Sequence, residues 1–346
     1  MNIVVTKISP VGDAVSFLPT LSGLSEHVPE ANLTVVCTPA GREVFDGAVP
    51  GLDFLVIDYH EVRGVSSVRF LAPTLLVFKA KKFAISCHSY DEPSFSYLLT
   101  RAMGIRRRIG FGSSIARGQL LISERIPFDN RRNVVDLNFD LVRQATGNWN
   151  LHPQRVTISY SKLDRMCVEE NLAKIGIIQG LPFVVIHPGA GQRHREWGMQ
   201  NYLSVAKTLE DSLGLTVLFV SEFDKLSSCH SLSGLSIKQL ACLLEMAVVF
   251  IGNNSGPMHI AAAMGTPCVV VQGATAMNQE IFWNHIPHHT IKAAHLPCVP
   301  CERLWSIPDR CLNQEYPQAC MKELSPQRVT EQVLEFLTRI DCRHRK

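Results

Sequence analysis

The sequence alternates short apolar runs with amphipathic stretches, and it does so in two series. "NIVVT" (2–6), "LTVVC" (33–37), "FLVI" (54–57) and "FAIS" (83–86) form the first, with a helix expected from about Asp13 to His27. "FVVIH" (183–187), "LTVLFV" (215–220), "VVFI" (248–251) and "CVVVQ" (268–272) form the second. Helices are expected between them over "MQNYLSVAKTLEDSLG", closed by Gly214, near 236–246 and near 257–264, with a last one at about 325–340. Near-continuous apolar runs suit strands covered on both faces, hence parallel sheets flanked by helices and joined by right-handed crossovers. Two series predict an α/β chain of two Rossmann-like, doubly wound domains facing each other across a cleft. The linker falls near 150–165 and the domains over 1–158 and 159–346. A length of 346 residues also exceeds what one core usually supports. The segment "RAMGIRRRIGFG" reads as a basic turn leading into irregular sequence, and 111–160 as helices and connections.

Composition removes several function classes. A net charge of +3 is too small for a nucleic-acid protein and slightly favours an anionic ligand. No apolar stretch reaches the ~18–20 residues of a spanning helix. The N-terminus lacks a basic region before its apolar run, so no signal peptide is expected. Eleven cysteines, scattered through apolar segments, read as reduced, mostly buried thiols in a cytoplasmic protein. No G-x-G-x-x-G follows any expected strand, which disfavours a dinucleotide-dependent oxidoreductase.

Three glycine turns carry candidate chemistry. In "FIGNNSGPMHIAAAMGTPCVVV" (250–271), Pro257 suits the first position of a short helix and Gly265 the position past its end. The amides of Ser255, Gly256 and Met258 then gather at the helix's positive end, at the carboxyl edge of a sheet. A phosphate cradle and a plain tight turn are both compatible with that pattern. In "VVIHPGAGQRHREWG" (184–198) a strand ends in a glycine turn that presents Arg193, His194 and Arg195 before Trp197. Arginine can grip a phosphate with two parallel N–H bonds, although such a run is more often a solvated charge cluster. In "KISPVGDAVSFLP" (7–19), Asp13 sits at a helix start, as an N-cap or as a general base.

Together these stretches resemble glycosyltransferase family 9, the ADP-heptose:lipopolysaccharide heptosyltransferases, over most of the chain. The Gly-Asp after an apolar strand, the Pro-Gly-Ala turn before a basic residue and Trp, and "GNNSGPMH" all match its signatures. The resemblance implies a GT-B fold and inverting transfer of a heptose from ADP-heptose without a catalytic metal. Asp13 would be the base, beside Gly12. Arg195, where the family usually has Lys, would stabilise the departing ADP with the amides of Ser255 and Gly256. Gly189, Ala190, Trp197, Pro257, Met258 and His259 complete the donor site by position, although a helix-packing role suits His259 as well. Glu222 in "LFVSEFD" would contact the nucleoside, or it is an exposed loop acid. Asn254 replaces the family's Asp beside the donor sugar, which leaves a different nucleotide sugar open. Gly198 replaces a Pro.

"LPCVPCERLWSIPDRCLNQEYPQACMKEL" holds Cys298, Cys301, Cys311 and Cys320. A C-x2-C followed by two more cysteines is the spacing of a closed thiolate site, structural more often than catalytic; zinc and iron both fit it, and four unrelated thiols is the bland alternative. Some family members, among them protein O-heptosyltransferases that hold iron, carry a comparable cluster. The acceptor is then a lipopolysaccharide core sugar or a protein Ser/Thr. Arg101, Arg106, Arg107 and Arg108 would greet an acidic acceptor or form a solvated face. Peripheral contact with the inner membrane surface and a homo-oligomer are compatible with the sequence. A degenerate, non-catalytic binding module is the reading from another class.

Overall fold

The computed structural model describes residues 1–57, 81–92, 94–112, 119–178, 180–221, 229–276, 286–302, 308 and 310–340. Two compact units emerge, Met1–Thr157 and Ile158–Lys346. Each is built on a six-stranded sheet, parallel throughout.

In the first unit the strands are β1 (Asn2–Lys7), β2 (Asn32–Cys37), β3 (Asp53–Val56), β4 (Ile85–His88), β5 (Arg107–Gly112) and β6 (Glu124–Pro127). Their order is β3-β2-β1-β4-β5-β6, so the chain leaves β1 in one direction and returns at β4 to build in the other. Helices α1 (Val11–His27), α2 (Pro39–Phe45), α3 (Ser94–Ala102) and α4 (Val134–Thr146) accompany this sheet. Gly23 lets α1 lie close to α4, since a Cβ there would come within 2.6 Å of the Phe139 ring.

Two expectations are corrected in this unit. The strand expected at 83–86 runs over Ile85–His88, because buried His88 is satisfied within the core. The hydroxyls of Thr6, Ser86 and Thr100 lie 2.9, 3.0 and 3.1 Å from its ring nitrogens. The basic run expected to be a turn leading into irregular sequence instead enters strand β5 at Arg107. Its charges are spent locally: Arg107 pairs with Glu124 at 2.6 Å, and Arg108 donates to the carbonyl of Leu121 at 2.5 Å.

The second unit repeats the plan with β7 (Phe183–His187), β8 (Thr216–Val220), β9 (His230–Leu232), β10 (Val249–Asn253), β11 (Cys268–Gln272) and β12 (His288–Lys292), in the order β12-β11-β10-β7-β8-β9. Its helices are α5 (Lys162–Lys174), α6 (Met199–Leu213), α7 (Ile237–Met246), α8 (Gly256–Met264), α9 (Ala319–Lys322) and α10 (Pro326–Ile340). Helix α5 opens inside the segment expected to be linker, on a capping box between Ser161 and Asp164. Gly214 ends α6 in the left-handed conformation at φ 61°, and Ser236 caps α7. No described helix is long and apolar enough to cross a membrane.

Both sheets reverse direction at an internal strand pair, and at each reversal buried polar groups collect. After β1 and β4, Lys7 is wholly buried, with its ammonium 2.6 and 2.7 Å from the two Asp91 oxygens and 3.1 Å from the Ser89 hydroxyl. The neighbouring Glu92 accepts the Ile8 amide at 2.9 Å. Burial and the charge of Asp91 push the Glu92 carboxyl up to about 8, with Lys7 and the hydrogen bonds from Ile8 and Thr6 pulling the other way. After β7 and β10, Asn253 is wholly buried and all of its hydrogen-bonding capacity is used. Its Nδ2 donates to the carbonyls of Pro188 at 2.6 Å and Gly189 at 3.3 Å. Its Oδ1 accepts from the Trp197 amide at 3.1 Å and the Tyr202 hydroxyl at 2.9 Å.

Two outcomes are expected. Unfolded, Glu92 ionises near its ordinary 4.5; folded, it keeps its proton to about 8. The folded chain therefore binds the extra proton between those values, and stability falls as pH rises through that window. Denaturant titrations at pH 5, 6.5 and 8 should show this decline, and Glu92→Gln, which cannot ionise, should flatten it. Asn253→Ala strips two carbonyls, one amide and one hydroxyl of their partner, each worth roughly 1–3 kcal/mol when buried. A loss of about 3 kcal/mol or more in urea unfolding is expected.

Candidate functional site

Strands β7 and β10 are neighbours in the second sheet, and the chain leaves them toward opposite edges. The turns that follow therefore meet at the carboxyl edge of a switch point, where open α/β sheets bind ligands. The first turn runs from Pro188 through Gly189 and Ala190 to a single 3-10 turn, Arg193–Arg195. The second is Asn254-Ser255, which opens α8. Ser255 is the N-cap but makes no side-chain cap bond, and Gly265 closes the helix at φ 86°. Gly256 takes the first helical position, so the proline expected there stands second.

Four buried polar atoms on these elements have no hydrogen-bond partner among the described residues: Arg195 Nε, Ser255 Oγ, His259 Nδ1 and His187 Nδ1. Native proteins rarely leave buried polar atoms so. Gathered at the end of β7, on the basic turn and at the start of α8, they describe a cradle completed by a polar ligand. Burial, then the nearby charge of Arg195, lowers His259 to about 3. Burial lowers His187 to about 4, with the backbone of Gly189 opposing it. Both imidazoles are neutral at physiological pH, so the site's positive character comes from Arg195 and the helix end. That combination suits an anion with several oxygens.

The other expected donor residues fall into distinct environments. Gly189 and Ala190 are half-buried on the turn, and the Ala190 amide faces Glu196 Oε1 at 3.4 Å. Trp197 is buried in the core. Its indole donates to the Leu324 carbonyl at 2.7 Å and its ring packs edge-on against Tyr202 at 4.9 Å, which makes it the anchor of the basic loop. Asn254 is buried and donates to Gln272 Oε1 at 3.0 Å; Gln272 in turn donates to the Thr275 carbonyl at 2.9 Å. Pro257 is half-buried, and Met258 lies in the core under α8. Glu222 lies outside the described residues.

Gly12 and Asp13 belong to the first unit, half-buried in the first turn of α1. Pro10, not Asp13, is the N-cap, and Asp13 is the third helical residue, its carbonyl accepting from the Ser16 hydroxyl at 2.7 Å. Its charge and that of Asp91 both bear on buried Tyr90. The same Tyr90 ring faces the buried Lys7 ammonium at 5.5 Å.

Sequence reasoning missed three groups in the second unit: His187, Asn253 and Glu302. Glu302 directly follows the C-x2-C pair and is wholly buried. It accepts from Arg195 Nη2 at 2.6 Å, from the Thr275 hydroxyl at 3.2 Å, and from His194 Nε2. Burial opposes its charge, but the hydrogen bond and charge of Arg195, with His194 adding, hold its carboxyl below the ordinary value. An acid beside a cysteine pair, 107 positions from the arginine it binds, carries no local signal.

Of the four clustered cysteines, Cys301, Cys311 and Cys320 line one small cavity together with His194. Burial raises the Cys301 and Cys320 thiols, the latter to about 11, and Cys298 and Cys311 raise both further. The donor set suits a soft or borderline cation. In this arrangement no group of three or more His, Cys, Asp or Glu among the described residues is placed to hold a metal ion.

Comparison with known proteins agrees with the fold and the motifs. Residues 94–306 match the model of glycosyltransferase family 9 (heptosyltransferase). The chain is 25% identical over 291 residues to lipopolysaccharide heptosyltransferase 3 of Escherichia coli, covering 79% of this chain and 82% of that protein. Its structure is similar to that of a family 9 glycosyl transferase from Veillonella parvula, with a TM-score of 0.77 and 17% identity over 98% of this chain and 96% of that one. It is also similar to TibC, a dodecameric iron-containing heptosyltransferase of enterotoxigenic Escherichia coli solved with ADP-D-beta-D-heptose. There the TM-score is 0.61 and the identity 13%, over 98% of this chain and 77% of that one. With its two parallel six-stranded sheets and a family match over more than half its length, the chain has the GT-B fold and belongs to glycosyltransferase family 9.

Proposed function

We propose that this enzyme transfers a heptose from ADP-heptose, with inversion, to a hydroxyl of a lipopolysaccharide core sugar, and that it works in the cytoplasm with at most peripheral contact with the inner membrane surface. The observation that carries the reading is the cradle of unpartnered polar atoms around Arg195, Ser255 and His259. A diphosphate supplies the oxygens those atoms lack. The reading is supported by the relative named for lipopolysaccharide transfer and by TibC, which was solved with ADP-heptose.

In this reaction the acceptor oxygen attacks the anomeric carbon, its proton passes to Asp13, and ADP leaves with the bonding pair. Arg195 and the amides of Ser255 and Gly256 receive the charge that develops on the departing diphosphate, the term that most often dominates such catalysis. Neutral His259 and Ser255 add hydrogen bonds without needing a proton from solvent. No step requires a metal. Gly12, Gly189, Ala190, Pro257 and Met258 shape the backbone around donor and base, Trp197 fixes the loop that carries Arg195, and Glu222 is assigned to the nucleoside. Asn254 takes the place beside the donor sugar as an uncharged group. A protein Ser/Thr acceptor is the second reading, favoured by the four-cysteine cluster. Cys298, Cys301, Cys311 and Cys320 would hold one iron or zinc ion, which draws the thiols together as thiolates and supplies a structural cross-link.

Thermal unfolding with ADP, UDP and GDP in turn tests the donor. ADP at ~100 times its dissociation constant should add about 2.7 kcal/mol, and stabilisation by UDP or GDP in its place would overturn ADP-heptose as donor. Asp13→Ala should lower kcat by about 10²–10⁴-fold while ADP affinity stays within about twofold. Near-normal turnover would leave Asp13 a structural residue. Elemental analysis should find about one iron or zinc per chain, lost in Cys311→Ser; protein purified without either sinks the metal assignment.

A further inference from the structure

We propose that Glu302 is a positioning residue for the donor diphosphate: it aims Arg195, and it does so from the four-cysteine loop. The proposal rests on the reading of Arg195 as a phosphate ligand. A guanidinium is planar, so fixing one of its amino groups fixes the direction of every other N–H. Glu302 Oε2 lies 2.6 Å from Arg195 Nη2, and the buried Nε–H on the same edge has no partner among the described residues. The carboxylate thus fixes the plane and position of the guanidinium, whose charge bears on His259. The backbone around it is lightly held: the Arg195 amide makes one turn bond, to the Gln192 carbonyl at 2.9 Å, and Gly191, Gln192 and Arg193 are exposed.

Glu302 is itself rigid. Its amide donates to the Ala274 carbonyl at 3.0 Å, it forms an isolated β-bridge with Thr275, and the Thr275 hydroxyl donates to its side chain. Those contacts tie it to the residues just after β11. The residue before it is Cys301, which shares a cavity with Cys311, Cys320 and His194, and His194 is another donor to the same carboxylate. A shift of the cysteine loop moves Glu302, and a shift of Glu302 turns Arg195. The loop therefore acts on the donor site through a carboxylate that touches no substrate.

The test is a double-mutant cycle on the full chain, read by ADP binding in calorimetry and by steady-state kinetics. Glu302→Gln keeps the shape but cannot accept from His194, Arg195 and Thr275 together. It should weaken ADP about tenfold and lower kcat while the KM for acceptor holds; general loosening would move both. In an Arg195→Ala background the same change should add less than about twofold. Cys311→Ser should weaken ADP in the Glu302 protein and add little to Glu302→Gln. If Glu302→Gln does not fold, Glu302→Asp, which keeps the charge but shortens the reach, replaces it with the same expectations. ADP binding as tight as or tighter than wild type in the Glu302 variant overturns the proposal, as do penalties that multiply with Arg195→Ala. Arg195→Ala that binds ADP normally sinks the reading of Arg195 instead, so the two failures are separable.

Discussion

The candidate site in the second unit depends on the side-chain amide of Asn253. Strands β7 and β10 end side by side, and their turns would otherwise present bare carbonyls and amides to one another in a buried place. Asn253 answers both: it donates to the turn after β7 and accepts from the base of the loop and from α6. An Asp would keep the two acceptances and lose both donations, and an apolar residue would lose all four. Close strand contact adds to the demand, because a Cβ at Gly252 would strike the His187 carbonyl at 2.7 Å. Held this way, the basic loop and the start of α8 form one rigid edge, as preorganised electrostatic stabilisation requires.

The two units use one topology and fill its switch point differently. In the first, a buried cation, Lys7, is neutralised by Asp91, and Glu92 keeps its proton near neutrality. In the second, a buried anion, Glu302, is neutralised by Arg195. Neither buried charge is isolated, which is the condition for tolerating it. The outcome differs because Lys7 uses its donors on Asp91 and Ser89, whereas Arg195 has five donors in a fixed plane and leaves its buried Nε–H without a partner among the described residues.

Much of this was legible along the chain, and the exceptions have physical causes. FVVIH, CVVVQ and the helix ended by Gly214 stand where their apolar pattern and glycine placed them, because buried parallel strands and left-handed caps leave strong local marks. The strand over Arg107–Gly112 was hidden by its arginines, whose partners come from Glu124 and Leu121, too far along the chain for any window to see. The edge strand His230–Leu232 is short and only half-buried, so it has no apolar run to read. The same division runs through the site. Glycine turns and the Ser-Gly-Pro helix start are local and visible. Glu302 and the Lys7–Asp91 pair are made by tertiary contact and are not.

Asn254 shows how far that division reaches into specificity. It stands where the family signature has Asp, and its side chain is committed to Gln272, which is committed in turn to Thr275. A carboxylate at 254 could not donate to Gln272, so the amide pair and the neutral charge come together. Thr275 also donates to Glu302 through its hydroxyl. The residue that departs from the signature and the carboxylate that orients Arg195 therefore meet on one residue, just beyond β11. With no charge at 254, the field across the cradle is set by Arg195, the start of α8 and Glu302.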